Sequence, residues 1–252
     1  MAGSPQGPRA RYREQTRAEI KEIALRRLAE GGTAAVALTR IAKEVGLSGP
    51  ALYRYFDSRD ALLTDLIRDA YGDLAAAVTA AADSLPPRTP ARARVLALAG
   101  ACREWAVGQP HRYLLIQGTP VPGYSAPPDT LDSARAVLGP FLRAFLGARP
   151  GPATRPLAAQ MAAWVRRDDT VAAWVGRHTP ADAPEDSGAR DSPVPVDAEA
   201  AGIALAGAVL AWSHLHGAVG LEVSGQFEGM GHDGGTLLTA QMASLADAFG
   251  LA

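Results

Sequence analysis

Residues 38–56 read Leu-Thr-Arg-Ile-Ala-Lys-Glu-Val-Gly-Leu-Ser-Gly-Pro-Ala-Leu-Tyr-Arg-Tyr-Phe, and their side chains suit contact with a polyanion better than covalent chemistry. The Thr39 and Ser48 hydroxyls can serve a phosphate or cap a helix, two compatible roles. Tyr53 and Tyr55 carry hydroxyls suited to phosphate oxygens, although either ring can instead fill a core. Arg40 can reach a phosphate or a guanine edge. Gly49, Pro50 and Ala51 are small enough to bring a backbone close to base edges, with the Pro50 ring and the Ala51 methyl available to a thymine methyl. Arg59 is expected at the first position of a helix capped by Ser58, where a cation opposes the helix dipole by about 0.3–1 kcal/mol. A phosphate at the same helix end would relieve that conflict, and so would plain solvation of the guanidinium.

These side chains need two short helices to hold them. Gly46-Leu47-Ser48 separates a helix over about 40–45, with Thr39 as N-cap, from one over 49–55, with Ser48 as N-cap. Gly46 can take the left-handed conformation that ends the first. Leu47 and Leu52 have the spacing of a hydrophobic staple. With Ile41, Ala42, Val45 and Phe56 they supply a small shared core. The arrangement is a helix-turn-helix, which lays its second helix in the DNA major groove while the first crosses the backbone. Upstream, Ile20, Ile23, Ala24 and Leu28 share one face of a helix over about 13–30, which Gly31-Gly32 ends. Downstream, a long helix runs from Ser58 to about Asp83.

Pro86, Pro87 and Pro90 make the next break, and helical patterns follow at about 91–108, 111–117, 129–146, 153–178, 197–224 and 235–250. No strand alternation is visible, so the fold class is all-α. A three-helix N-terminal domain is expected over 12–60, behind a flexible basic arm at 1–11 and ahead of a larger helical bundle at 61–252. The arm's Arg9, Arg11 and Arg13 are either a solvated tail or minor-groove readers. Residues 179–196, with four prolines and few apolar side chains, read as a mobile loop.

Composition narrows the function. Of 252 residues, 48% are hydrophobic and 20% charged, too apolar for a disordered chain. The net charge of −1 is uneven: residues 1–60 hold 11 Lys or Arg against 7 Asp or Glu, and the remainder 14 against 19. A basic head on an acidic body points to an anionic partner at one end. The single cysteine, Cys102, excludes a disulfide framework or a multi-cysteine zinc site and fits a reducing compartment. There is no apolar leader, and the charge-free stretch 200–213 is too short to span a bilayer, so a cytoplasmic protein with no membrane partner is expected. His214 and His216 diverge on a helix and the other histidines stand apart, so no metal site is expected. No phosphate-binding glycine loop, nucleophile elbow or His-Glu-x-x-His pair occurs, and Asp168-Asp169 reads as a solvated helix face. No catalytic residues, cofactor or enzyme activity are expected.

Residues 13–62 resemble the TetR family of bacterial transcriptional regulators. The likeness rests on a first helix ending Glu-Gly-Gly, then Leu-Thr-x-Ile-Ala-x-x-x-Gly-Leu-Ser, Ala-Leu-Tyr-x-Tyr-Phe and Ser-Arg-Asp-Ala-Leu-Leu. The family commonly carries lysine where this chain has Arg59. The resemblance implies a homodimer with an N-terminal DNA-binding domain and a helical C-terminal domain holding a small-molecule pocket and the dimer interface. By matching position it implies DNA contacts from Thr39, Arg40, Ser48, Gly49, Tyr53, Tyr55 and Arg59. The expected function is a sequence-specific DNA-binding regulator, a repressor released by a small-molecule effector. Its partner would be a near-palindromic duplex operator with half-sites roughly 34–36 Å apart. The alternative is a helical ligand-binding or scaffold dimer whose helix-turn-helix is vestigial.

A second likeness lies further on. Trp212-Ser-His-Leu-His-Gly217 resembles the Trp-x-x-x-His-Gly element of the WHG type of TetR C-terminal domain, and Pro110-His-Arg-Tyr-Leu114 its short central helix. Trp212 and His216 are four apart and share a face, as a pocket wall or as packing, and Gly217 would permit a close helix approach. The last two helices read as a dimerisation pair. The first offers Ile203, Gly207 and Leu210 beside Ala204 and Ala211, and the second Leu238, Met242 and Leu245 beside Leu237 and Phe249. Trp105, Tyr113, Tyr124, Met161, Trp164 and Trp174 are the candidate pocket lining, which suggests an apolar or aromatic effector.

Overall fold

The computed structural model describes residues 7–117, 127, 130–178 and 197–252, without the Leu131 side chain. Tyr124 and the segment 179–196 lie outside the described residues. Those described form α1 (Pro8–Gly31), a 3-10 turn (Thr33–Ala35), α2 (Leu38–Val45), α3 (Gly49–Leu52), α4 (Arg59–Ser84), α5 (Ala91–Gly108), α6 (Pro110–Gln117), α7 (Thr130–Phe145), α8 (Arg155–Arg167), α9 (Asp169–His178), α10 (Ala198–Val223) and α11 (Gly234–Ala248). No strand occurs among them. The all-α reading holds.

The chain divides into two compact units, residues 1–71 with 109–130 and residues 72–108 with 131–252. The division falls inside α4 and returns α6 to the first unit, whereas the sequence reading drew its boundary at 60/61. α1 also begins earlier than expected. Pro8 sits in its first turn, where its fixed φ suits a helix and its missing N–H costs nothing, so residues 8–11 are helix and not a loose arm.

One core explains the first unit. Ile20, Ile23, Ala24 and Leu28 of α1 pack with Ile41 and Ala42 of α2, Leu52 of α3, Phe56, and Leu62, Leu63 and Leu66 of α4. Leu47, Tyr55 and Leu115 of α6 pack against its edge.

In the second unit α10 is the central helix, in contact with α5, α8, α9 and α11. Its small residues allow the approach: a Cβ on Gly202 would stand 2.5 Å from the Ala162 backbone nitrogen of α8. By length and composition α10 could cross a membrane, contrary to the reading of 200–213. Its apolar surface is largely taken up by packing against the neighbouring helices. The expected single helix over 153–178 is two. Asp168 is extended (φ −132°, ψ 102°), and its carboxylate accepts from the Thr170 hydroxyl (2.6 Å) and backbone nitrogen (2.9 Å) and from the Val171 nitrogen (3.2 Å). Those bonds hold the carboxyl below its ordinary value, so Asp168 is a helix cap and not a spectator on a solvated face.

Candidate nucleic-acid interface

The turn at residues 46–48 is built as its sequence requires. Gly46 is left-handed at φ 73°, and the Leu47 nitrogen donates to the Ala42 carbonyl at 2.8 Å. α2 starts two residues earlier than expected, with extended Ala37 at the N-cap, so Thr39 lies inside the helix and is not the cap. Its exposed hydroxyl is free for another partner. Ser48 holds the N-cap position of α3 but makes no side-chain capping bond, which leaves its exposed hydroxyl uncommitted as well. α3 is only four residues long. Bonds from Tyr53 N to Gly49 O (3.3 Å), Tyr55 N to Leu52 O (2.8 Å) and Phe56 N to Leu52 O (3.2 Å) continue it as an irregular turn where a helix to Tyr55 was expected.

The two tyrosines part company. Tyr53 is 50% exposed, an unusual position for a large ring, whereas Tyr55 rests against the core. Pro50 is exposed and Gly49 and Ala51 half-buried, and a Cβ at Gly49 would meet nothing within 4 Å. The leading end of α3 is therefore open.

Charge is sorted across the unit. Four cations of α1 are neutralised: Arg17 and Lys21 pair with Asp65 of α4, Lys21 also with Asp69 at 2.9 Å, and Arg26 and Arg27 with Glu44 of α2. The hydrogen bond from Arg27 holds the Glu44 carboxyl below its ordinary value. Arg40 and Lys43 are exposed, sit three apart on one face of α2 and have no acidic partner among the described residues. Lys43 was not among the expected contacts. The signal was there, since it sits one turn after Arg40.

Arg59 has protein partners that the sequence did not show. Its guanidinium donates to the Val36 carbonyl at 2.9 Å and to the Thr33 carbonyl, tying α4 to the connection between α1 and α2. Those carbonyls supply the negative partner that a phosphate was expected to provide. Ser58 caps α4 as expected, its hydroxyl accepting from the Ala61 nitrogen at 3.0 Å.

A model of the tetR family of bacterial regulatory proteins matches residues 20–66, and a tetracyclin repressor-like C-terminal domain model matches residues 95–245. The chain belongs to the TetR family of transcriptional regulators. It is 45% identical over 140 residues to HTH-type transcriptional regulator Rv1816 of Mycobacterium tuberculosis, an alignment covering 55% of this chain. The aligned part spans 59% of the length of that relative. Among solved structures, the regulatory protein SCO4313 is 41% identical with a TM-score of 0.70, covering 96% of this chain and 100% of its own. The transcriptional regulator FadR of Bacillus subtilis, solved with stearoyl-CoA, shares the fold at 11% identity and a TM-score of 0.51, covering 92% of this chain and 98% of its own.

Within this TetR-family chain the expected dimer residues are mostly core. Gly207, Leu238, Met242 and Leu245 are buried by their own subunit, as are Ala204, Ala211 and Phe249, which leaves them little surface to offer a second copy. Ile203 and Leu210 are half-buried and remain available. Leu238 and Met242 instead line a groove of about 570 Å³ between α5 and α11, with Leu96, Arg103 and Thr236.

The expected pocket residues that are described sit at several places in the chain. Trp105, Tyr113, Met161, Trp164 and Trp174 line neither that groove nor the smaller cavity of about 320 Å³ beside Arg17 and Tyr55. Tyr113 is buried in the first unit, Trp105, Met161 and Trp164 are half-buried in the second, and Trp174 is buried on α9. Trp174 keeps its indole nitrogen without a hydrogen-bond partner, with the Arg135 guanidinium 5.7 Å from its ring centroid. Trp212 and His216 meet edge to face, 4.1 Å between centroids, and burial pushes the His216 imidazole down to about 4. Gly217 is exposed with nothing within 4 Å of an added Cβ, so it permits no close helix approach within the chain.

Proposed function

We propose that this TetR-family protein acts in the cytoplasm as a homodimeric repressor that binds a near-palindromic duplex operator and is released by a small apolar or aromatic effector. The observation that carries the DNA reading is the pairing of an exposed Tyr53 and two uncommitted hydroxyls, Thr39 and Ser48, with the unpaired cations Arg40 and Lys43 on the adjoining helix. Gly49, Pro50 and Ala51 give the backbone access to base edges, and Tyr55 contributes its hydroxyl while its ring serves the core. Arg59 keeps the site in shape by holding the start of α4 and contributes no phosphate contact of its own.

Dimerisation uses the stripe of α10 that carries Ile203, Leu210, Gly217 and Leu221, the last of these 46% exposed. A two-fold axis there sets two recognition elements about one helical turn of DNA apart. Release requires an effector that binds the DNA-incompetent state more tightly, because equal affinity for both states shifts nothing. The vestigial alternative calls for a neutralised or covered α2–α3 face, and the exposed unpaired cations speak against it.

The test is a gel shift of the full-length protein on the DNA flanking its own gene, against scrambled duplex of equal length. Retention of the flanking DNA in nanomolar protein, lost on scrambling, is the expected result. Equal weak binding to both supports the vestigial reading.

A further inference from the structure

α3 ends after one turn, and the chain from Tyr53 to Phe56 must hold its shape with little helix behind it. The carbonyls of Arg54 and Tyr55 face no following turn that could satisfy them. Both are met from α1. The Arg13 guanidinium donates to the Arg54 carbonyl at 3.3 Å, and Arg17, one helical turn later, donates to the Tyr55 carbonyl at 3.0 Å. Arg17 does more. Its other terminal nitrogen bonds the Asp65 carboxylate of α4, and its guanidinium carbon lies 4.3 Å from the centroid of the buried Phe56 ring. One planar group thus joins α1, the end of the recognition turn and the long helix.

Burial works to raise the Asp65 carboxyl, but the hydrogen bond from Arg17 and the charge of Lys21 together hold it below its ordinary value, so it stays ionised as the anchor. Lys21 reaches the same carboxylate oxygen at 3.2 Å and adds a second cation to it. We propose that Arg17 is a positioning residue for DNA recognition: by bridging the Tyr55 carbonyl and Asp65 it sets the pose of the turn that presents Ser48 and Tyr53. It touches no DNA itself, since its head is already occupied on two sides and stacked on a third. Arg13 supports the same turn more weakly from the exposed edge.

Lysine at position 17 keeps the charge and can still pair with Asp65, but it lacks the planar fork that serves two acceptors at fixed angles. Asp65→Asn keeps an acceptor and loses the charge. This inference rests on α2–α3 being the DNA-reading element, and the experiment separates the two. Full-length wild type, Arg17→Lys, Arg17→Ala and Asp65→Asn are titrated by fluorescence anisotropy onto the DNA flanking the protein's own gene and onto a scrambled duplex, across a salt series. Arg17→Lys is expected to lose about tenfold on the flanking duplex, with scrambled-duplex affinity, melting temperature and salt slope unchanged. Asp65→Asn is expected to lose flanking-duplex affinity by a smaller factor, with scrambled-duplex affinity and salt slope unchanged and a lower melting temperature because two cations lose their shared anion, and it keeps the test alive if Arg17→Ala does not fold. Wild-type affinity in Arg17→Lys, or a salt slope reduced by about 0.9 per lost contact in Arg17→Ala on both duplexes, overturns the proposal, the second outcome by making Arg17 a phosphate ligand. A wild type that does not prefer the flanking duplex removes the DNA-reading role itself, and the brace with it.

Discussion

The ring of Phe145 lies so close against Gly207 that a Cβ added there would stand 2.3 Å from two ring carbons. Phe145 is itself fully buried and meets Phe249 edge to face at 5.1 Å, so it has no free direction in which to retreat. Gly207→Ala gains up to about 1 kcal/mol of helix propensity. Overpacking costs about 1–3 kcal/mol and outweighs the gain. Urea denaturation should therefore show a lower midpoint for Gly207→Ala with the slope unchanged; a raised midpoint would mean the α7–α10 packing is looser than described.

The oligomer is tested further along α10, near its C-terminal end. Leu221 is 46% exposed, so Leu221→Glu costs the subunit fold little, yet it sets a charge in the proposed two-fold seam. Sedimentation should show monomer at concentrations where wild type is dimeric, with an unchanged helical spectrum. Met242→Ala should do the reverse, losing about 2–5 kcal/mol of stability through a core cavity while any folded fraction keeps its wild-type assembly.

Acid should weaken the fold before the carboxylates titrate. An unfolded His216 takes up its proton near its ordinary 6.5, whereas in the folded chain burial delays that step to about 4. The unfolded state therefore holds more protons between those values, and stability falls as pH drops through that window. At 1.36 kcal/mol per pKa unit the loss from His216 is at most about 3 kcal/mol. His178 and His214 are shifted down in the same direction by burial, with Arg143 and Arg177 adding to the effect at His178. Urea midpoints from pH 7 to pH 4 should decline, and His216→Gln should flatten the decline; a midpoint constant down to pH 4.5 contradicts the assignment.

The first unit was legible because its sequence is locally decisive. Gly46 can end a helix in only a few ways, and the face of Ile20, Ile23, Ala24 and Leu28 admits one packing side, all four being buried as expected. The partners of Arg59 were not legible, because a cation at a helix start suggests an anion and gives no hint of two carbonyls more than twenty residues away in sequence. Arg13 and Arg17 were invisible as a brace for the same reason, since helical periodicity reports which face a residue takes and not which distant carbonyl it meets. In the second unit alanine and glycine dominate the final helices, and small residues are equally suited to a subunit core and to a dimer seam. Gly207 and Gly217 read alike in sequence, yet one lies under an aromatic ring and the other faces open space.

Arg59 offers a direct contrast of roles. Arg59→Ala should lower the melting temperature of the protein by removing the tie to Thr33 and Val36, while leaving the dependence of DNA affinity on salt as it is in wild type. A reduced slope with unchanged melting would restore Arg59 as a phosphate ligand.

The central claim is that the α2–α3 face binds DNA phosphates through the unpaired cations Arg40 and Lys43, while the paired cations Arg17, Lys21, Arg26 and Arg27 do not. The most direct measurement is the slope of log affinity against log salt on the DNA flanking the protein's own gene. Each lost phosphate contact lowers that slope by about 0.9, and a dimer loses two per substitution. Arg40→Ala and Lys43→Ala are each expected to lower the slope by about 1.8 with folding intact. Slopes equal to wild type in both variants would contradict the account.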